Sequence, residues 1–463
     1  YYTPRKRVAI IEPSEGSPAA EAGLQAGDII MEINGKDMAQ GDRTPNELTS
    51  YVSDNLRGDP GTTCVLKLER PTADSTYIPM ELKITRGTIR TNPVPYYGMV
   101  DKNIGYIAIS TFAIEGCSKD IKKALIELKQ QGATSIVLDL RGNGGGLLSE
   151  AVNVVNFFVP KGKEIVVTKG KIKQAGSTYK TSNEPIDMEI PLTVLVDGAT
   201  ASAAEIVSGS LQDLDRAVIV GNRTYGKGLV QVPRELPYNS SMKVTTAKYY
   251  IPSGRCIQAI DYAKRNADGS VARIPDSLTT VFHTAAGREV RDGGGIRPDV
   301  EVKAERFPNI MFYLLNDDMI FDYATQYCIK HPNIGEVKDF SVTDADYDDF
   351  KQMLKKRNFT YDRQSEKSLK NLKEIAEFEG YMEGASEEFA ALEKKLTHNL
   401  DHELNRFSKQ IRKAIAEEIV KRHYFQRGVI LERMKDDADL TKAIETLKDK
   451  EGYTKILSVP ADK

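Results

Sequence analysis

The chain has 463 residues, of which 40% are hydrophobic, and a formal net charge of −2 at pH 7. This length and composition are sufficient for two to four folded domains with sizeable cores. The near-neutral charge gives no support for binding to nucleic acid or to an anionic membrane surface. No apolar run approaches the roughly 20 residues that a membrane span requires.

The four cysteines, Cys64, Cys117, Cys256 and Cys328, lie far apart and form no metal-ligand spacing. Spacing alone leaves open whether distant pairs form disulfides. The chain begins with Tyr1 and not with methionine. We therefore expect that an upstream segment, which would include any signal peptide, has been removed.

Residues 5–90 alternate short β-type runs with turns and two short helices. An early proline and a final glycine bound the first helix, Ser17–Gly23, and a capping threonine begins the second, Thr44–Val52. The predicted strands are Arg7–Ile11, Ile29–Asn34, Val65–Glu69 and Glu81–Thr85.

Residues 16–35, GSPAAEAGLQAGDIIMEING, resemble a PDZ domain. Such domains take an extended peptide as an added strand at a sheet edge and capture its terminal carboxylate on backbone N–H groups. The carboxylate-capturing loop normally precedes the first strand of this match, where the chain has only Tyr1–Lys6. The resemblance therefore implies a PDZ domain over residues 1–90 that is incomplete at its N-terminus.

Residues 91–103 contain two prolines and a glycine and predict a linker. The next predicted elements are a buried strand, an amphipathic helix and a second buried strand, over Ile104–Phe112, Ser118–Gln130 and Ser135–Leu140. A glycine run, Arg141–Gly146, then precedes a predicted helix, Leu147–Phe158. Glycines at this place let backbone N–H groups approach a ligand closely. The dinucleotide-binding pattern fails, because its third glycine falls at Leu147.

The stretch Pro191–Gln231 contains two apolar β-type runs with the start of a helix between them. The runs are Leu192–Val196 and Ala217–Val220, and the small residues Gly198–Ala204 open the helix around Ser202. A serine on a tight turn at a helix N-terminus is exposed. Neighbouring backbone N–H groups then point to where an oxyanion can form.

The serine hydroxyl needs a base, and none of the five histidines precedes this stretch or lies in it. The nearest basic group in a defined setting is Lys227, which lies between two glycines. A lysine base must be neutral near pH 7, and burial beside apolar residues such as Tyr225, Leu229 and Val230 favours the neutral amine. Gln231 follows four residues later, so in a strand the two side chains share a face, and the amide can orient the amine.

Ser202 in the segment ASAAE, Lys227 in YGKG and Gln231 together resemble the C-terminal processing proteases, also called tail-specific proteases. The resemblance covers residues 5 to 305 by the order of its motifs. It implies that the serine is the nucleophile, the lysine the general base and the glutamine the support of the lysine.

The run Asp139–Gly146 is similar to the DLRxNGGG segment of the same family, in which a glycine N–H helps to form the oxyanion hole. The resemblance implies that Gly144 or Gly145 supplies one donor and the Ala203 N–H the other. The sequence leaves open which of the two glycines points inward.

Three further residues are candidates for supporting roles at the site: Asp213, Glu205 and Thr224. The first of them lies eleven residues after the serine, where some members of the family carry an important aspartate. The segment Gly295–Asp299 resembles the family's GIxPD motif near the end of the protease core. Related enzymes have a crotonase-like core of repeated β-β-α units.

Gly221–Lys227 also fits the first seven positions of a phosphate-binding P-loop. The eighth position is Gly228 where a P-loop has Ser or Thr, and the residues that follow predict a strand where a P-loop has a helix. A nucleotide site is thus the weaker interpretation of this segment. The simplest alternative is that the serine begins a helix and the lysine is a solvated turn residue.

Residues 306–463 have frequent Lys and Glu and predict a helical C-terminal domain. Amphipathic periodicity covers Thr343–Lys356, Glu366–Phe378, Ser386–His423 and Leu440–Lys448. His398 and His402 have a metal-compatible spacing, but residue 399 is Asn where a zinc protease needs Glu, so we expect a surface pair without metal. The domain is a candidate for self-association or for gating access to the serine.

The sequence therefore predicts an α/β and α+β multidomain chain: a PDZ domain (1–90), a crotonase-like (ClpP/crotonase) serine protease core (91–305) and a helical domain (306–463). The predicted function is a serine endopeptidase that needs no cofactor or metal and acts on proteins with exposed C-termini. The alternative is a catalytically inactive PDZ scaffold that binds peptide tails. The resemblance implies an exported protein of the periplasm or cell envelope. The length and the apolar stripes of the helical domain make it a candidate for forming a homo-oligomer.

Overall fold

The computed structural model describes residues 1–74, 76–171, 176–238, 240–265, 271–303, 305–396 and 399–458. The chain forms two compact units. The first combines Tyr1–Arg90 with Glu305–Lys435, and the second combines Thr91–Ala304 with Asp436–Lys463. Among the described residues, no helix has both the length and the apolar character that crossing a membrane requires.

The N-terminal part of the first unit is an antiparallel sheet with two helices. Its elements are β1 (Val8–Ala9), α1 (Pro18–Glu21), β2 (Ile29–Ile33), β3 (Lys36–Asp37), α2 (Pro45–Leu56), β4 (Thr63–Pro71) and β5 (Tyr77–Thr85). The sheet order is β1-β2-β4-β5, with β3 paired to β2. Thr44 and Glu47 form the capping box that begins α2. Each strand and helix predicted from the sequence has a counterpart here, and only the two-residue β3 is additional.

The second unit contains most of the strands of the chain. Its elements in order are β6 (Tyr96–Asp101), β7 (Ile104–Ala108), α3 (Cys117–Gln130), β8 (Ser135–Asp139), α4 (Leu148–Val155), β9 (Glu164–Gly170), β10 (Ser177–Lys180), β11 (Leu192–Val196), α5 (Ala203–Asp213), β12 (Val218–Gly221), β13 (Leu229–Leu236), β14 (Ser240–Tyr250), β15 (Ile260–Arg265), β16 (Val271–Arg273), β17 (Val281–His283), β18 (Glu289–Arg291) and β19 (Val300–Glu301). The predicted linker over residues 91–103 is wrong, because β6 lies within it and pairs with β7.

A six-stranded sheet, in the order β19-β12-β11-β8-β7-β6, organises the second unit. All neighbouring pairs are parallel except β6 with β7. Every residue of β8 and β11 is buried, as expected for a parallel sheet that is covered on both faces. The carboxyl ends of β8, β11 and β12 therefore lie side by side at one edge, the usual place for a site in such sheets.

The helices α3, α4 and α5 share one apolar core with alternate sheet residues such as Ile136, Leu138 and Val194. Strand side chains alternate between the two faces of a sheet. A second antiparallel sheet, in the order β10-β9-β14-β13, leaves β13 at its edge. This strand begins two residues after Lys227.

The remaining helices follow residue 305. They are α6 (Asn309–Asn316), α7 (Met319–Lys330), α8 (Asp344–Lys356), α9 (Gln364–Phe378), α10 (Met382–Leu396), α11 (Leu400–Arg406), α12 (Ser408–Met434), α13 (Ala438–Lys448) and α14 (Lys450–Leu457). The single amphipathic stretch predicted over Ser386–His423 is divided among α10, α11 and α12. The helical prediction for α8, α9 and α13 is confirmed.

The predicted helical domain over 306–463 is not one compact unit. The first unit ends at Lys435, and Asp436–Lys463 belongs with the second unit, where α13 packs against β11 and β12. Its residues Leu440, Ala443 and Leu447 are buried. Helical periodicity identifies this amphipathic helix but carries no information about which sheet covers its apolar face.

Candidate active site

Ser202 lies on the turn between β11 and α5, at the carboxyl end of the parallel sheet. Its backbone has φ 58° and ψ −118°, a strained conformation for a residue with a side chain. Such strain is common where a protein must present one side chain in a fixed direction. The turn therefore places the serine at the head of α5, as the sequence predicted.

The glycine run after β8 packs directly on this turn. A Cβ atom on Gly145 would lie 2.7 Å from the Ser202 Cβ and 2.8 Å from the Ala203 nitrogen, so the contact requires glycine. The Ala201 N–H donates to the Asn143 carbonyl over 2.9 Å. The two loops are thus joined through their backbones.

The two glycines that were candidates for the oxyanion hole differ in the state of their N–H groups. The Gly145 N–H donates to the Asn143 side-chain oxygen over 2.9 Å. Within the described part of the chain, no acceptor receives the N–H of Gly144 or that of Ala203, the first residue of α5. Of the predicted donors, Gly144 and Ala203 are therefore available to a ligand, and Gly145 instead permits the close approach.

The carboxylate of Glu205 ties the serine turn to the lysine segment. Its Oε2 atom accepts the N–H of Ser202 over 2.8 Å and the N–H of Lys227 over 2.9 Å. Its Oε1 atom accepts the Thr224 hydroxyl over 2.5 Å and the Gly226 N–H over 2.7 Å. Glu205 is fully buried, and burial raises its pKa although the four donors oppose this change. The structure thus brings the predicted supporting residues Glu205 and Thr224 together.

Tyr249 on β14 joins the same two segments from the other side. Its hydroxyl donates to the Lys227 carbonyl and lies 3.3 Å from the Ser202 carbonyl oxygen. Burial raises the pKa of Tyr249 well above its usual range, so the hydroxyl remains a donor at neutral pH. Ser202 and Lys227 are therefore fixed relative to each other through both their N–H and their carbonyl groups.

A cavity of about 500 Å³ opens beside these segments. Its lining residues are Gly144, Ala199, Ala201, Tyr225, Lys227, Leu229, Gln231, Gln258 and Tyr262. Lys227 is half-buried and Gln231 is exposed at this opening. The predicted apolar neighbours Tyr225 and Leu229 flank the amine, but the surroundings are open to solvent on the cavity side.

Lys227 and Gln231 reach this cavity by a route that differs from the prediction. Lys227 precedes β13 and is not part of it, and the pairing of β13 with β14 shifts between Val230 and Gln231. Such a bulge breaks the simple alternation of side chains. Among the described residues, no hydrogen bond joins the Lys227 amine to the Ser202 hydroxyl or to the Gln231 amide. The backbones of Ser202 and Lys227 are thus held together, whereas the Lys227 amine is hydrogen-bonded neither to the Ser202 hydroxyl nor to the Gln231 amide in the described part of the chain.

Asp213 does not lie at the site, contrary to the supporting role considered for it. It is the last residue of α5, roughly 16 Å from the head of that helix at 1.5 Å per residue. Its carboxylate pairs with Arg255 over 2.7 Å and accepts the Ser253 N–H over 3.0 Å. It therefore fixes the turn after β14 and does not contact the serine.

The nucleotide interpretation of Gly221–Lys227 is wrong, because the segment leads into β13 and not into a helix. In the described part of the chain, no group of three or more metal-ligating side chains lies close enough to hold an ion. His402 lies in the first turn of α11, and His398, the other half of the predicted pair, lies outside the described residues.

Three residues of the site were not singled out from the sequence: Asn143, Tyr249 and Gln258. The Asn143 side chain donates to the Ile109 carbonyl over 2.8 Å and orients the glycine run. The Gln258 side chain accepts the Gly228 N–H over 2.7 Å. Asn143 lies within the motif that was recognised, so its role was accessible, whereas Tyr249 and Gln258 lie in segments without a distinguishing pattern.

Comparison with known protein families divides the chain into three matched regions. Residues 10–70 match "PDZ domain", residues 103–264 match "Peptidase family S41", and residues 310–447 match "Probable PDZ-protease, C-terminal helical domain". The order of the three regions is the order predicted from the sequence.

Curated relatives carry protease names. The carboxy-terminal-processing protease of Bartonella bacilliformis is 38% identical over 259 residues, which are 55% of this chain and 56% of the relative. The carboxyl-terminal-processing protease of Picosynechococcus sp. is 39% identical over 246 residues, which are 52% of this chain and 56% of the relative. The match thus spans little more than half the length of these relatives.

Among solved structures, the photosystem II D1 C-terminal processing protease is 30% identical to the chain. That comparison covers 65% of this chain and 70% of the solved one, with a TM-score of 0.36.

Proposed function

We propose that this chain, of which residues 103–264 match peptidase family S41, is a serine endopeptidase whose nucleophile is Ser202 and whose general base is Lys227. The observation that carries the proposal is the carboxylate of Glu205. One of its oxygen atoms accepts the backbone N–H of both Ser202 and Lys227, which holds the two reactive residues to one another.

In the proposed reaction, the Ser202 hydroxyl oxygen attacks the carbonyl carbon of a peptide bond and Lys227 takes the hydroxyl proton. The resulting oxyanion accepts hydrogen bonds from the N–H groups of Ala203 and Gly144. Lys227 then gives its proton to the leaving amine, and a water molecule hydrolyses the acyl-enzyme ester. Removing one oxyanion donor costs on the order of 3 kcal/mol in other enzymes.

The lysine side chain has to turn toward the serine for the first step. Because the two backbones are already tied through Glu205 and Tyr249, we expect side-chain rotation to bring the amine to the hydroxyl. Catalytic hydrogen bonds are often long or absent before the substrate binds and form in its complex. Gln231, on the wall of the same cavity, then supports the amine.

The position of β13 supports a polypeptide as the substrate. This strand leads away from Lys227 and forms an edge of its sheet, with β14 on one side. Pro233 within it has no N–H group to donate and is tolerated in a strand at such an edge. An extended substrate segment can add to this edge and carry its scissile bond to the cavity.

Recognition of C-terminal tails is a further part of the proposal, and it rests on the match of residues 10–70 to PDZ domains. We expect a peptide with a free carboxylate to have a lower KM than the same peptide ending in an amide. Equal KM values for the two peptides would argue against tail recognition.

Self-association through the helical part of the first unit is also proposed. The hairpin of α9 and α10 exposes a large apolar surface. Its exposed members are Leu372, Ile375, Phe378, Tyr381 and Leu392. Replacing Leu372 and Phe378 by Asp should convert an oligomer into a monomer in sedimentation velocity. An unchanged sedimentation coefficient would rule out this surface. An exported, envelope-facing location belongs to the same proposal and rests on the resemblance alone.

The activity is tested with Ser202→Ala and Lys227→Ala in the full chain, with casein as an unfolded protein substrate. Both variants should lose cleavage and retain the thermal unfolding transition of the wild type, because alanine keeps the backbone N–H group that donates to Glu205 at each position. The inactive scaffold predicts instead that the wild type does not cleave and that Ser202→Ala binds peptide tails unchanged. Normal cleavage by Lys227→Ala would show that the proposed base is wrong.

A further inference from the structure

The first residue of the glycine run, Arg141, is held by three carboxylates. Its guanidinium contacts Asp139 at 2.6 Å, Asp437 at 2.7 Å and Asp439 at 3.1 Å. Asp139 is the last residue of β8, two positions away, whereas Asp437 and Asp439 come from the segment that returns to the core near the end of the chain. Two parts of the sequence nearly 300 positions apart therefore meet at Arg141, in the same loop as Gly144 of the candidate oxyanion hole.

The contact is partly buried, with the Arg141 side chain and Asp439 each about one-fifth exposed. Asp139 and Asp437 are each less than one-tenth exposed, and the guanidinium donates through Nε and both terminal nitrogens. The Tyr106 hydroxyl donates to the Asp139 Oδ2 atom over 2.6 Å. A partly buried guanidinium that donates several charge-assisted hydrogen bonds is held in one orientation, and removal of two of its carboxylates weakens that restraint.

Other hydrogen bonds also hold the start of the glycine run: the Arg141 N–H donates to Asp139 over 2.9 Å and the Asn143 N–H donates to the Leu140 carbonyl over 3.2 Å. The Gly142 N–H donates to Asp197 over 3.0 Å, and Gly142 and Gly145 both have positive φ. The next fixed point is Asn143, whose carbonyl accepts the Ala201 N–H. The Gly144 N–H shares a planar peptide group with the Asn143 carbonyl, so the hydrogen bond from the Ala201 N–H to that carbonyl also sets the direction of the Gly144 N–H. The contacts of Arg141 fix the residue two positions before Asn143 and so restrain the start of the loop that carries this peptide group.

We propose that Asp437 and Asp439 are positioning residues for catalysis: by fixing Arg141, they hold the glycine run so that the Gly144 N–H points to the oxyanion. The inference rests on the proposed proteolytic function. The inference gives Asp437 and Asp439 a role in the reaction, in addition to the packing of α13 against the six-stranded sheet. Neither aspartate contacts the reacting atoms.

The test compares Asp437→Asn/Asp439→Asn with a control on the same segment, in the full chain. Asparagine keeps the helix cap that Asp437 provides to the Leu440 N–H, so α13 should remain intact. The control is Tyr453→Phe, which removes the hydroxyl that contacts the Leu192 N–H and carbonyl at 3.0 and 3.1 Å. It weakens the attachment of the segment without touching Arg141.

We expect kcat for casein to fall about tenfold or more in the double variant, with KM nearly unchanged, because loss of an oxyanion donor acts on the transition state. Affinity for a peptide boronate, which resembles the tetrahedral intermediate, should fall by the same factor. Tyr453→Phe should keep the wild-type kcat. A merely structural role would lower the stability and leave the kcat and boronate affinity of the folded fraction unchanged.

An unchanged kcat in the folded double variant, or an equal loss in Tyr453→Phe, would overturn the inference. If the double variant does not fold, the single variant Asp439→Asn at the more exposed carboxylate should still lower kcat about threefold, and no change there would also overturn it. Failure of the proposed function is distinguishable, because Ser202→Ala would then retain whatever activity the wild type has.

Discussion

The two ends of α5 each hold a buried carboxylate, and the two are satisfied in opposite ways. At the first turn, Glu205 accepts hydrogen bonds from three backbone N–H groups and one hydroxyl, and no cationic side chain among the described residues forms an ion pair with it. At the last residue, Asp213 pairs with Arg255, and neither side chain is more than 1% exposed. Burial raises the pKa of both carboxyl groups, and at Asp213 the arginine opposes the change.

We infer from this difference that Glu205 supports the proposed catalytic residues and that Asp213 supports the fold. The donors to Glu205 are backbone groups of the serine and lysine segments, so the positions of these segments depend on its two oxygen atoms. The partners of Asp213 are Arg255 and the Ser253 N–H, which belong to a turn at the other end of the helix. We therefore expect changes at Asp213 to affect stability and changes at Glu205 to affect activity as well.

The largest effect on stability should come from Asp213→Ala. The variant leaves Arg255 as a buried charge without its partner, which costs about 4 kcal/mol of the free energy of unfolding. Urea denaturation measures this change. The kcat of the folded fraction should remain within about twofold of the wild type. A loss of activity without a loss of stability would show that Asp213 has a role in the reaction.

Glu205→Gln should affect both properties. The amide replaces one carboxylate oxygen with an NH₂ group that faces N–H donors, so two buried donors lose their acceptor at about 1–3 kcal/mol each. We expect kcat to fall about 100-fold, equivalent to about 2.7 kcal/mol, and the unfolding midpoint to fall as well. Steady-state assays of the folded variant check this. Wild-type activity would show that the carboxylate does not hold the pair.

The elements that form the site could be predicted from the sequence because their signals are local. The strands β8, β11 and β12 are short apolar runs, and the glycines after β8 and the small residues around Ser202 mark the turns. The serine, lysine and glutamine were found by their conjunction in one family pattern. Local periodicity and turn chemistry are sufficient for these inferences.

What was missed depends on contacts between distant parts of the chain. The bulge at Gln231 is set by the pairing with β14, and the distance of Asp213 from the serine follows from the whole length of α5. The return of α13 to the core sheet leaves no trace in the sequence of either partner. Tyr249 contacts the Lys227 carbonyl because β14 lies next to the loop that carries Lys227. No sequence pattern within β14 predicts this position.

Replacing the Asp213–Arg255 pair together should have a smaller effect than removing the aspartate alone. The double variant Asp213→Leu/Arg255→Met substitutes apolar side chains of similar volume for both charges, and such exchanges of buried pairs are often nearly neutral. We expect the double variant to recover at least about 2 kcal/mol of the stability that Asp213→Ala loses. Chemical denaturation of both proteins in parallel makes the comparison. Additive losses would mean that the charges do not act as a pair.

The smallest of these effects should come from Tyr249→Phe. The change removes one hydroxyl donor to the Lys227 carbonyl and keeps the ring that fills the core, so it should cost about 1 kcal/mol. We expect kcat to fall about fivefold, in the direction of Glu205→Gln and unlike Asp213→Ala. A kcat equal to that of the wild type would show that the hydrogen bond that the Lys227 N–H donates to Glu205 is sufficient to position Lys227.

The central claim is that Lys227 activates Ser202, and covalent labelling tests it most directly. A fluorophosphonate reacts with an activated serine hydroxyl, and peptide mass spectrometry locates the modified residue. The account predicts that the label is on Ser202 in the wild type and that its rate of formation falls at least about 100-fold in Lys227→Ala, while Asp213→Asn is labelled normally. Labelling of Ser202 at the wild-type rate in Lys227→Ala, or labelling of another residue, would contradict the account.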